Sequence, residues 1–163
     1  MYIYQSLNAS HWHQVKKIYL EGIETGQATF QKDATSWEVW DQGHLSHSRI
    51  AALLDRYVVG WAALSPVSAK PHYAGVAEVS VYIGVGYRGK GLGFQLLREL
   101  VRESEQNGIW TLQASIFPEN VASVHIHKKC GFRLLGRREK IAQLNGVWRD
   151  TVIWERRSNI VGI

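Results

Sequence analysis

The sequence predicts an α/β domain, a mixed sheet flanked by helices. Three observations predict it. Arg49 to Leu54 and Tyr57 to Leu64 are apolar runs separated by Asp55-Arg56, which read as an antiparallel hairpin. Val76 to Val85 alternates with period two and leads through a glycine-rich turn into a helical pattern. Asn145-Gly146 then joins two terminal strands, a type I′ turn signal. The 163 residues fit one compact domain spanning 1–163. With 45% hydrophobic and 20% charged residues, such a chain buries a core without disulfides or metals.

Taken in order, Tyr2 to Ser6 alternates enough for a first strand. Ser10 reads as an N-cap, because Val15, Ile18, Tyr19, Gly22 and Ile23 follow at helical spacing. Thr35 and Glu38 have capping-box spacing and predict a second helix through about His47. The hairpin comes next. On the strand after it, Ala77, Val79, Val81, Ile83 and Val85 face one way, and Val76, Glu78, Ser80 and Tyr82 the other. Leu92, Leu96, Leu97, Leu100 and Val101 form the apolar stripe of the next helix, which Asn107-Gly108 ends. Trp110 to Phe117 is a strand, and Asn120 to Cys130 is a helix closed by Gly131. Arg133–Ile141 and Val147–Arg156 complete the set.

Composition narrows the partners. A formal charge of +5 suits an anionic ligand, but the basic residues form no long run and no aromatic-basic motif accompanies them. No nucleic-acid partner is expected. The single cysteine, Cys130, cannot bridge internally and points to a reducing compartment, and no signal peptide is visible. No stretch of about 20 apolar residues exists to span a bilayer. The expectation is a cytoplasmic protein without a membrane partner. His125 and His127 lie about 200° apart around a helix and cannot share a metal ion. His44 and His47 alone are weak evidence for zinc, so no metal is expected.

The segment Gly84-Val85-Gly86-Tyr87-Arg88-Gly89-Lys90-Gly91-Leu92-Gly93 carries the strongest chemical signal. Between a strand and a helix it forms an anion site, since free N–H groups gather at the helix N-terminus. Glycines let a phosphate approach the backbone. Gly84, Gly86 and Gly89 match the dinucleotide fingerprint G-x-G-x-x-G. That fingerprint opens a long doubly wound domain, whereas here it comes mid-chain after a hairpin. A triphosphate P-loop would need Ser or Thr after Lys90, where Gly91 stands. Both readings fail on context.

The remaining pattern, R-x-x-G-x-G at Arg88–Gly93, resembles the pyrophosphate loop of the GCN5-related N-acetyltransferase (GNAT) superfamily. Asn120 to Phe132 resembles that family's N-x-x-A-x-x-x-Y-x-x-x-G-F stretch, and Ala77 to Ile83 its central strand. Tyr19 with Gly22-Ile23, Ala28-Thr29-Phe30, Tyr73, Glu78-x-Ser80-Val81-Tyr82, His127 and Trp148-Arg149-Asp150 further resemble the phosphinothricin and methionine sulfoximine acetyltransferase branch. One departure is Lys70, where the branch tends to carry arginine. Lysine keeps the charge but loses the two-pronged grip on a carboxylate or phosphinate.

The resemblance implies a mostly antiparallel central sheet of about seven strands with about four helices. It implies a homodimer that transfers acetyl from acetyl-CoA, the co-substrate, to the primary amine of a small amino-acid-like acceptor in a ternary complex. Glu78 is the expected base, because burial in a mostly apolar strand raises a carboxyl pKa. His127, in place of the family's tyrosine, is expected to protonate the departing thiolate or assist deprotonation. Backbone N–H groups of Val81 and Ile83, with Tyr82 between them, are expected to hold the thioester oxygen and pantetheine amides. Arg88, Gly89, Lys90, Gly91, Leu92, Gly93 and Phe94 would bind the pyrophosphate, and Asn120 and Ser123 would also contact the cofactor. Thr29, Phe30, Lys70, His72, Tyr73 and Ser80, beside Glu78, would line the acceptor site. The alternatives are an enzyme acting on a protein N-terminus, polyamine or other amine, and a catalytically silent acetyl-CoA-binding module.

Overall fold

The computed structural model describes residues 1–163 as one seven-stranded sheet with helices on both faces. The strands β1 (Ile3–Ser6), β2 (Ile50–Leu54), β3 (Tyr57–Pro66) and β4 (Val76–Ile83) form an antiparallel run. Next to β4 lies β5 (Thr111–Ile116), the one parallel neighbour in the sheet. The hairpin of β6 (Arg133–Leu144) and β7 (Val147–Arg157) completes the order β1-β2-β3-β4-β5-β7-β6. The mixed, mostly antiparallel sheet implied by the sequence is present. Asn145 and Gly146 both adopt positive φ (51° and 78°), as their turn requires.

Helices α1 (Trp12–Glu24) and α2 (Trp37–Gly43) cover one face. There Val15, Ile18 and Trp40 pack with Trp61 and Ala63. On the other face lie α3 (Leu92–Gln106) and α4 (Val121–Lys129). The predicted stripe Leu92, Leu96, Leu97, Leu100 and Val101 is buried there against Val59, Leu64, Ala77 and Leu112. Burial of each large side chain contributes roughly 1.5–3 kcal/mol. Val79, Val81 and Ile83 join this core, whereas Tyr82 packs against the α1 face.

Three local expectations are corrected. Ser10 is not a helix cap, because Asn8 Oδ1 accepts from the Ser10 N–H at 3.0 Å and its hydroxyl at 2.6 Å, making a 3-10 turn before α1. Ser36, not Thr35, caps α2, and this helix ends at Gly43 rather than about His47. Buried Arg49 explains that stop. Its guanidinium donates to the Asp41 and His44 carbonyls at the helix end, and to the Leu45 carbonyl and Asp41 carboxylate. Val85 leaves the strand for a 3-10 turn and is exposed.

One contact at the base of β4 sets where β5 lies. Trp110 and Thr111 N–H groups both donate to the Gly75 carbonyl, at 2.9 and 3.0 Å, and zip β4 to β5 at one end. A Cβ at Gly75 would fall inside the Trp110 ring. Gly75→Ala should therefore destabilise the domain by about 1–3 kcal/mol through overpacking. A lower urea midpoint with unchanged m-value checks this; an unmoved midpoint would mean the indole swings aside at no cost.

Candidate active site

Pairing between β4 and β5 stops early. Their register runs only through Val76↔Thr111, Ala77↔Leu112 and Glu78↔Gln113, although both strands continue. Beyond Glu78 the two strands part and leave a V-shaped opening. At the two ends of the β3–β4 ladder, Gly84 N–H donates to Val59 O and Val67 N–H to Val76 O. Antiparallel alternation between these ends turns the backbone of Ser80 and Tyr82 toward β3. It turns the N–H groups of Val79, Val81 and Ile83 toward the opening. The Ile83 carbonyl accepts from Arg88 Nε at 3.1 Å.

A cavity of about 300 Å³ fills the opening. Glu78, Ser80 and Val81 line its β4 wall, and Ala114, Ser115 and Ile116 line its β5 wall. Glu78 is half-buried, and Gln113 Nε2 donates to its Oε2 at 3.3 Å. Burial raises the Glu78 pKa, offset in part by the Gln113 hydrogen bond and the charge of Arg138. The group is poised as a proton acceptor nearer neutrality than an ordinary carboxylate.

His127, 4% exposed, lines the cavity from α4. Its Nδ1 lies 2.7 Å from the Ser123 carbonyl oxygen, which can only accept, so Nδ1 carries the proton. Nε2 is then a lone-pair acceptor with no protein partner. Burial lowers the His127 pKa, opposed by the Ser123 hydrogen bond, and favours the neutral ring. A second buried polar atom without a partner is Thr151 Oγ1, also on the cavity wall.

Thr29 and Phe30 belong to a loop, 26–31, that roofs the cavity. Arg149 clamps this loop by donating to Gly26 O at 2.9 Å and Gln27 Oε1 at 2.7 Å. The same guanidinium lies 4.1 Å from the Phe117 ring, on which Phe30 packs edge-on at 4.8 Å. Asn120 donates from Nδ2 to Gln27 O at 3.1 Å, and its Oδ1 caps α4 by accepting from Ser123 N–H at 3.2 Å. Both of its polar ends are thus engaged within the protein.

The glycine loop enters α3 with Gly91 at φ 83° as its N-cap, a conformation that disfavours any side chain. No side chain caps this helix, so its first N–H groups stay available. Space around Gly89 and Gly91 is open. Lys90 Nζ donates to Gly86 O at 3.1 Å and shapes the loop. Leu92 offers only its backbone, because its side chain is in the core. Arg98 and Lys129 lie over the Phe94 ring, at 5.7 and 4.3 Å, and add positive charge there.

The structure brings Glu78, Ser80, Thr29, Phe30, Asn120, Ser123 and His127 to one cavity, with Val81 and Tyr82 on its wall. Lys70, His72 and Tyr73 do not line it; all three are exposed, His72 and Tyr73 in a 3-10 turn before β4 and Lys70 at its N-cap. Reading the sequence missed Gln113 and Thr151, and met Arg149 only within the Trp148-Arg149-Asp150 resemblance, with no role in the site. The alternation of β5 and β7 places such residues on one face, but only the strand order shows that this face adjoins Glu78. No cluster of three or more His, Cys, Asp or Glu could hold a metal, and no helix is long and apolar enough to cross a membrane.

The Acetyltransferase (GNAT) family model matches residues 12–132. A phosphinothricin N-acetyltransferase of Alcaligenes faecalis is 31% identical over 155 residues, covering 89% of this chain and 77% of that protein. An L-methionine sulfoximine/L-methionine sulfone acetyltransferase of Pseudomonas aeruginosa is 34% identical over 93 residues, 57% of this chain and 54% of that protein. The chain thus aligns with about half the length of this relative. The crystal structure of a GNAT superfamily phosphinothricin acetyltransferase from Sinorhizobium meliloti, in complex with acetyl-CoA, superposes with a TM-score of 0.88 at 26% identity. That match covers 99% of this chain and 90% of the other. Strand order, forked sheet, glycine loop and sequence relatives agree, and the chain belongs to the GNAT acetyltransferase family.

Proposed function

We propose that the chain transfers acetyl from acetyl-CoA to the primary amine of a small amino-acid-like acceptor, of the methionine sulfoximine, methionine sulfone or phosphinothricin type, in a ternary complex. The observation that carries this reading is the fork between β4 and β5. It sets free backbone N–H groups, a carboxyl with a raised pKa and a roofed cavity beside one another. The residues fit acetyl-CoA: the open N-terminus of α3 suits its pyrophosphate, and the N–H groups of Val81 and Ile83 suit a thioester oxygen and an amide. The acceptor class follows the relatives' substrates and the small cavity under the 26–31 loop.

Glu78 takes a proton from the acceptor ammonium, and the freed amine attacks the thioester carbonyl carbon. Negative charge moves to the carbonyl oxygen, facing the Val81 N–H. The C–S bond then breaks as the nitrogen gives up its second proton. His127 enters this sequence neutral, with a vacant Nε2. It accepts the second proton and passes it to the thiolate, a shuttle rather than a resident acid.

Acetyl-CoA at a hundredfold excess over Kd should raise Tm by about 5–10 °C, since it binds only the folded chain. Gly91→Asp should abolish that shift, through a strained φ and a negative charge at the anion site. A larger shift with NADH or ATP would overturn the cofactor assignment.

Glu78→Gln should lower kcat by about 10²-fold or more with acetyl-CoA affinity unchanged. In the wild type, kcat/KM should rise with pH through a pKa above the usual carboxylate range, and the variant should lose this limb. A variant equally active from about pH 6 to 9 would remove Glu78 from the mechanism.

Nitrogen NMR of labelled histidine should show His127 as the Nδ1–H tautomer at pH 7, titrating below the ordinary histidine value. An imidazolium at neutral pH would restore the resident-acid role.

A further inference from the structure

The acceptor must be held by more than its amine, and the cavity contains unused groups for this. Thr151, 5% exposed, has no partner for its hydroxyl. A buried hydroxyl left unpaired is costly, and its place on the cavity wall makes a bound molecule the natural partner. Along β7, Val152 and Trp154 pack into the core on the α3 side. Strand alternation therefore sends Thr151 to the opposite face, which bears Glu78 and Gln113. Directly across the ladder is Arg138, whose side chain shares that face.

Arg138 differs from its neighbours. Arg133 is paired with Glu155, and Arg137 with Asp150. Arg138 has no ion-pair or hydrogen-bond partner, and it is exposed beside the buried hydroxyl. Its charge is felt at Glu78, where it favours the ionised carboxylate. The face thus presents a negative group at the fork and a positive group with a hydroxyl toward its far side. That pattern complements a zwitterion whose ammonium is directed to Glu78.

We propose that Thr151 and Arg138 form the docking point for an oxyanion of the acceptor, a carboxylate or phosphinate, with Thr151 donating its hydroxyl and Arg138 its charge. This deepens the reading of the acceptor as a small amino acid and rests on it. Neither Lys70, the cation expected from the sequence, nor Arg138 lines the cavity itself, but Arg138 stands directly across the ladder from Thr151, which does, and takes the place assigned to Lys70.

The test compares four acceptors on the intact enzyme: methionine sulfone, its decarboxylated amine, phosphinothricin and its decarboxylated aminophosphinate. On the pH plateau, above the Glu78 limb that loss of the Arg138 charge would move upward, Arg138→Gln and Thr151→Val should each raise KM about tenfold for acceptors bearing the recognised oxyanion, with kcat and the KM for acetyl-CoA little changed. The decarboxylated sulfone amine, which has no anion, should be unaffected. Loss confined to the two amino acids identifies the carboxylate; loss that includes the aminophosphinate identifies the phosphinate. Thr151→Ser should restore the wild-type KM. Should Thr151→Val fail to fold, the exposed Arg138→Gln decides alone. Equal losses for all four acceptors, no loss for any, or a raised KM for acetyl-CoA instead would overturn the proposal. If the wild type acetylates peptides or polyamines but none of the amino acids, the acceptor reading itself falls, and the wild-type result alone reports it.

Discussion

The rest of this structure depends on the place where β4 and β5 stop pairing. A parallel neighbour in an otherwise antiparallel sheet has no tight turn to hold it in register. Here the pairing is secured at one end only, by two N–H groups on the Gly75 carbonyl, and ends at Glu78 and Gln113. Past that point two strands of a sheet leave backbone donors unpaired, which is normally costly. Such donors persist where a ligand can satisfy them. The fork also fixes where Glu78 lies, at the last paired rung and at the edge of the opening.

Burial tunes the two titratable groups at the fork in opposite directions. It raises the carboxyl of Glu78 and lowers the imidazole of His127, in each case by disfavouring the charged form. Their proton affinities are thus brought toward one another across the cavity. In the proposed reaction the two groups act on different protons, Glu78 on the first and His127 on the second, and a weaker hold on the second proton helps the imidazole pass it to the thiolate. Glu78 retains part of its acidity through Gln113 and Arg138, so it still ionises.

Much of the fold was legible in the sequence. The strand alternation, the α3 stripe, the Asn145-Gly146 turn and the Gly131 closure all rest on local rules, and each stands close to its expected bounds. The misplaced end of α2 had a non-local cause: the helix stops because Arg49, just before β2, takes the carbonyls at its end. The same division holds for the site. Glu78, the glycine loop and His127 sit in recognisable motifs. Thr151 and Gln113 are ordinary strand residues whose meaning comes from the order β4-β5-β7, which brings segments far apart in sequence to one face. Lys70 shows the converse, since closeness in sequence to Glu78 did not place it in the cavity.

The roof of the cavity and the His127 imidazole share one anchor. Arg149 and Asn120 both hold Gly26-Gln27, fixing where Thr29 and Phe30 lie over the opening. Asn120 also caps α4 through Ser123 N–H, and the Ser123 carbonyl holds His127 Nδ1–H. A continuous set of hydrogen bonds therefore runs from the roof loop, through the helix start, to the imidazole. Asn120 is the member that touches both sides, with one polar end on each. Its replacement would free the roof and unfasten the first turn of α4, the turn that sets the histidine tautomer. A residue whose polar ends are both engaged within the protein can in this way be as exacting for the site as one that faces a ligand, because catalytic geometry is held within a hydrogen bond's tolerance.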